Sequence, residues 1–87
     1  MRRLTQQDID RIIGTVISGY RILMARIKQE GFTDSDHYGI LLGRGESGGM
    51  YVTWQFHLDD EHPDVYWGRY TENEINAIRD FIERSTP

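Results

Sequence analysis

Residues 4–30 read LTQQDIDRIIGTVISGYRILMARIKQE, and the period assigned to this stretch decides the fold. Ile9, Ile12, Ile13, Val16, Ile17, Tyr20, Leu23, Met24 and Ile27 follow steps of three and one, which places them on one stripe of a 3.6-residue period. Thr5 and Asp8 have the spacing of a capping box, and Leu4 can staple onto Ile9. Gly31 suits a left-handed C′ position, with Phe32 folding back onto the last apolar turn. Asp8 and Asp10 stand near the positive end of such a helix, Arg26 and Lys28 near its negative end. The stretch therefore predicts one amphipathic helix, about 37 Å long at 1.5 Å per residue. Gly14 and Gly19 count against it by up to ~1 kcal/mol each. Within the stripe, Ile9, Ile13, Val16, Tyr20, Leu23 and Ile27 also form a 4-3-4-3-4 seam. A core-facing stripe explains the same residues, and an overhanging end would allow a homodimer through helix 5–30.

Outward from the helix, residues 37–42 read as a strand and residues 43–49 as a glycine-rich connection. Met50, Val52, Trp54, Phe56 and Leu58 alternate with Tyr51, Thr53, Gln55 and His57, the period of a strand with one buried face. Residues 59–64 form an acidic loop and residues 65–70 a third strand, with Val65 and Trp67 facing one way and Tyr66 and Tyr70 the other. A second capping box, Thr71 and Glu74, opens a final helix with Ile75, Ile78, Phe81 and Ile82 as its buried stripe and Asp80–Arg84 as an i,i+4 pair. The expected fold is α+β in the order α-β-β-β-α. A three-stranded antiparallel sheet would pack on one long N-terminal helix and a short C-terminal helix, as a single domain over residues 1–87.

The 87 residues suffice for one core, and a net charge of −4 opposes a general grip on nucleic-acid phosphates. Nine of the ten basic residues are arginine, scattered along the chain. There is no cysteine, which excludes thiol chemistry and cysteine-ligated zinc. No apolar run reaches the ~20 residues of a membrane span, and residues 1–4 lack a following apolar region of the secretory type, so a cytoplasmic location is expected.

Two motifs look like chemistry. Gly43, Gly45 and Gly48 satisfy G-x-G-x-x-G, but the pyrophosphate mechanism needs a helix after the loop, and a strand follows here. Ser47 within G-x-S-x-G likewise lacks the strand-turn-helix of a nucleophile elbow. A hairpin loop is the expectation, with an anion site at Arg44 as the alternative. His57, Asp59, Asp60, Glu61, His62 and Asp64 hold metal-ligating groups at a spacing that matches neither an EF-hand nor a zincin helix. Solvated turn residues are expected, with no metal and no cofactor. The second face of the sheet is more informative. Tyr51, Gln55, Tyr66 and Tyr70 would face outward as a tyrosine-rich patch, with Arg69 or the acidic residues Asp59, Asp60, Glu61 and Asp64 supplying polar complementarity at its rim. Tyrosine is enriched in protein interfaces.

The segments HYGILLG (37–43), YVTWQF (51–56) and YWGRY (66–70) resemble small uncharacterised proteins carried on mobile genetic elements of Gram-positive anaerobes. That resemblance implies an accessory factor or an inhibitor of host defence, anti-CRISPR proteins among them, and transfers no catalytic residue. The expected function is a non-enzymatic protein–protein interaction module. The alternative is an acidic nucleic-acid mimic that blocks a DNA- or RNA-handling enzyme. A small metal-dependent hydrolase comes last. The expected partner is another protein, with no direct nucleic-acid or membrane binding.

Overall fold

Ser18 and Gly19 both take positive φ, 50° and 84°, the backbone of a two-residue type I′ turn. They join β1 (Val16–Ile17) to β2 (Tyr20–Gln29), with Ile17 opposite Tyr20 and Val16 opposite Arg21. In place of the expected helix over residues 5–30 stand a helix of about two turns, α1 (Gln6–Ile12), and a β-hairpin after it. The computed structural model describes residues 3–29, 31, 32, 37–60 and 62–86.

The helical reading failed for a specific reason. β2 carries a bulge between Ile22 and Met24, so its inward set (Tyr20, Ile22, Ala25 and Ile27) steps by two, three and two. That slip in phase leaves Tyr20, Leu23, Met24 and Ile27 at helical spacing. Leu23 and Met24 are exposed, whereas Ile22, which lies off the helical stripe, is 1% exposed and belongs to the core. The two glycines that a helix tolerates at a cost are punctuation here. Gly14 follows the α1 C-cap at φ 88°, and Gly19 completes the turn. Gly31 ends no helix, and Phe32 is fully exposed instead of folding back.

The sheet has five antiparallel strands in the order β1-β2-β3-β4-β5, not three. β3 (His37–Gly45), β4 (Tyr51–Asp59) and β5 (His62–Thr71) take up most of the residues assigned to the glycine-rich and acidic loops. The two helices lie on opposite faces, where a single helical layer was expected. On one face α1 closes a core of Leu4, Ile9, Ile12, Ile22, Leu41, Val52, Trp54, Phe56 and Leu58. The Thr5–Asp8 capping box is formed, and Leu4 N donates to His37 Nδ1 at 3.0 Å, fixing the start of the chain to β3. On the other face Ala77 and Phe81 of α2 (Glu74–Ser85) pack on Ile40 and Leu42.

α2 is capped by Asn73, whose side chain accepts from Asn76 N, and Thr71 belongs to β5. Its buried positions are Ala77, Phe81 and Ser85; Ile75 and Ile82 of the expected stripe are exposed. The sheet is sharply curled. Rings of Tyr20 on β2 and Tyr70 on β5 come within 6.1 Å although two strands separate them. Gly39 leaves room for the Phe56 ring, which a Cβ at that position would strike. Among the described residues no helix is long and apolar enough to cross a membrane.

Candidate functional site

The four residues expected to form one outward tyrosine patch, and Arg69 expected at its rim, are divided between the two faces. Tyr70 lies on the α1 side, where its hydroxyl accepts from Trp54 Nε1 at 3.2 Å and its ring meets Trp54 edge-on. Tyr51, Gln55, Tyr66 and Arg69 lie on the α2 side, with Gln55 opposite Tyr66, Arg69 opposite Thr53 and Tyr51 opposite Thr71. Tyr51 is half-buried against the α2 core, donates to Glu74 Oε2 at 3.3 Å and has the Arg44 guanidinium 5.9 Å from its ring centre. Gln55 Nε2 donates to the Tyr66 hydroxyl at 3.4 Å, and that hydroxyl pairs with His57 Nδ1 at 2.9 Å.

The residue that the alternation misplaced is Trp67. A bulge between Thr53 and Gln55 sets Trp67 and Gly68 together opposite Trp54. Trp67 takes φ 52°, a left-handed conformation that costs a bulky residue about 1–2 kcal/mol. Gly68 fits against the Trp54 indole, where a Cβ would lie 2.7 Å from Nε1. The outcome is that Trp67 does not face inward with Val65. It is 71% exposed, with its ring 5.2 Å from Tyr66 in an edge-on pair. The Trp-Gly pair inside a strand was the available signal, because an isolated strand glycine marks a bulge.

Arg84, near the end of α2, holds this bulge. Its Nη2 donates to the Trp67 carbonyl at 2.8 Å, and its Nη1 donates to the Thr53 carbonyl at 2.8 Å and to Thr53 Oγ1 at 2.9 Å. Burial pushes the Arg84 guanidinium down from its ordinary value, and the charge of Arg69 adds to this. Asp80 offsets part of it, and also lies 3.9 Å from Arg69 Nη1. Lys28 Nζ donates to the Arg84 carbonyl at 3.0 Å. Trp67, Arg69, Arg84 and Lys28 border an open cleft of about 580 Å³ whose floor includes Tyr38, Ile40 and Gln55. No carboxylate lines it among the described residues. No single sequence motif could have found it, because its walls come from β2, β3, β4, β5 and α2.

The acidic rim sits at the β4–β5 turn. Asp59 and Asp64 lie in paired strands and Asp60 turns the chain at φ 57°; Glu61 lies outside the described residues. One ligand atom each of His57, Asp59 and Asp64 falls within 4.8 Å of the others. His62, the other candidate ligand of this segment, is opposite Asp59 in the ladder. The Asp64 carboxyl, hydrogen-bonded to Asp59, holds Asp59 below the ordinary carboxylate value. Ser47 lies in an exposed hairpin turn over residues 46–49, whereas Gly43 and Gly45 belong to β3. Neither a protein-family model, nor a curated protein, nor a solved structure matches the chain.

Proposed function

We propose that this domain is a non-enzymatic interaction module whose contact surface is the outer strand β5, centred on Trp67. One observation carries the reading: a tryptophan held outward in a strained backbone by a dedicated arginine. An indole left about 70% exposed forgoes roughly 3 kcal/mol of burial. The left-handed φ of Trp67 adds to that cost. A ring kept outward at such expense, on a rigid sheet and clamped through its own carbonyl, has the features of an interface anchor. β5 is an edge of the sheet, so a partner reaches both the Trp67 ring and the neighbouring Arg69 and Tyr66.

The test is a pull-down from a lysate of the source organism at low and high salt, with wild-type bait beside Trp67→Ala and Tyr66→Ala. A protein captured by wild type and lost with Trp67→Ala supports the reading. Capture that survives both substitutions counts against it.

A further inference from the structure

The end of the β4–β5 hairpin gathers four side chains of metal-ligating chemistry. The ladder sets His57 opposite Asp64 and Asp59 opposite His62, so each strand contributes one His-x-Asp. Alternate residues of a strand share a face, and cross-strand partners lie on the same side of the sheet. All four therefore stand on the face that carries Gln55 and Tyr66. Two imidazoles among the four distinguish this group from a plain acidic patch. Its linear spacing matches no metal motif because the donors alternate across a hairpin, where register and not spacing brings them together.

The separations are close to those a bound ion imposes. His57 Nε2 and Asp64 Oδ2 are 3.7 Å apart, and one donor atom each of His57, Asp59 and Asp64 lies within 4.8 Å of the others. Donors about 2.0–2.1 Å from a tetrahedral ion stand about 3.3–3.4 Å from one another. The His57–Asp64 edge closes to that value with a shift of a few tenths of an ångström, and the two exposed aspartates adjust by rotation. His57 is aimed from behind. Its side chain is 18% exposed, and its Nδ1 meets the Tyr66 hydroxyl at 2.9 Å. With the ring proton on Nδ1 and donated to Tyr66, the Nε2 lone pair faces Asp64, which is how a ligating histidine is oriented. Asp59 makes further contacts of its own, and the roughly four lone-pair sites of a carboxylate let it keep them beside an ion. His62 is exposed across from Asp59, within the reach of a cross-strand neighbour. Mixed imidazole and carboxylate donors suit first-row transition metals, whereas magnesium and calcium take oxygen. We propose that His57, His62 and Asp64, with Asp59 beside them, bind a divalent transition-metal ion of the zinc type. The inference goes beyond the partner surface and is tested on the purified chain alone, so its failure leaves the pull-down reading untouched.

The experiment is isothermal titration calorimetry of the chain, carrying no affinity tag, with zinc chloride and separately with magnesium chloride at neutral pH. The expected result is one Zn²⁺ per chain with a Kd of about 10 μM or tighter, and Mg²⁺ at least about a hundredfold weaker. In ¹H–¹⁵N spectra the Zn²⁺-induced shifts should centre on His57, His62 and Asp64, with little movement of the core Trp54 indole. His62→Ala and Asp64→Asn change exposed positions and are confirmed as folded by their spectra. Each should weaken Zn²⁺ about tenfold or more, since each removes one donor. No saturable Zn²⁺ binding up to about 1 mM overturns the proposal. So does Mg²⁺ bound as tightly as Zn²⁺, the mark of an acidic patch only, or a Zn²⁺ affinity unchanged by both substitutions.

Discussion

Replacing Arg84 with methionine removes the clasp between α2 and the β5 bulge while keeping most of the aliphatic stem. Three charged-donor hydrogen bonds are lost, at 2.8, 2.9 and 2.8 Å. The bond to the Trp67 carbonyl is exposed and contributes least. The larger effect lies at Thr53, a residue only 1% exposed, whose hydroxyl loses the guanidinium. A buried polar group deprived of its partner costs about 1–3 kcal/mol. With a further contribution from the two carbonyl bonds, the expected loss is about 3 kcal/mol, a large part of the ~4–13 kcal/mol available to a chain of this length. Urea denaturation followed by far-UV circular dichroism measures it. With a slope near ~1 kcal/mol per molar, the midpoint should fall by roughly 2–3 M. Thr53→Val supplies the double-mutant cycle: Arg84→Met should cost at least about 1 kcal/mol less in that background. A loss below about 1 kcal/mol, or strict additivity, refutes the clasp.

Three further outcomes follow from the same geometry. Gly39→Ala sets a Cβ against the fully buried Phe56 ring and should cost about 1–3 kcal/mol, read by calorimetry as a melting point lower by several degrees. Ser18→Asn gives the residue pair that type I′ turns favour most and should stabilise by about 0.5 kcal/mol in chemical denaturation; a helix through residue 18 would show no gain. The carboxyl of Asp59 is held below its ordinary value, so its contribution to stability is present above that value and is lost as pH falls through the depressed one. Stability curves of wild type and Asp59→Asn should therefore converge in strong acid and separate as pH rises through the depressed value, and curves that remain parallel through that range would remove the contribution.

The α+β class was legible because β4 alternates cleanly and because the α1 start carries a full capping box, Thr5 with Asp8. The hairpin inside residues 5–30 was not. Its bulge at Leu23 replaces period two with steps that imitate a helix, and Ile22, one of the best-buried side chains, falls off that stripe. Gly14, Ser18 and Gly19 carried the contrary signal, since two glycines within a helix are less economical than a helix end and a turn. The outward set of β4 and β5 was read correctly in phase up to Tyr66, then lost where the Trp67–Gly68 bulge moved Tyr70 to the opposite face. Period-two patterns hold only between bulges. Neither the placement of α2 over Tyr51 nor the meeting of Lys28, Arg69 and Arg84 is a local property of the chain, since each depends on sheet curl and on which face a helix covers.

The most direct test of the interaction surface compares three baits in one pull-down: wild type, Trp67→Ala, and Ile82→Ala as an exposed apolar control on α2. The expected result is a protein captured by wild type and by Ile82→Ala and lost with Trp67→Ala, all three baits having the same circular dichroism spectrum. Equal capture by wild type and Trp67→Ala, or loss only with Ile82→Ala, would contradict an interface centred on Trp67.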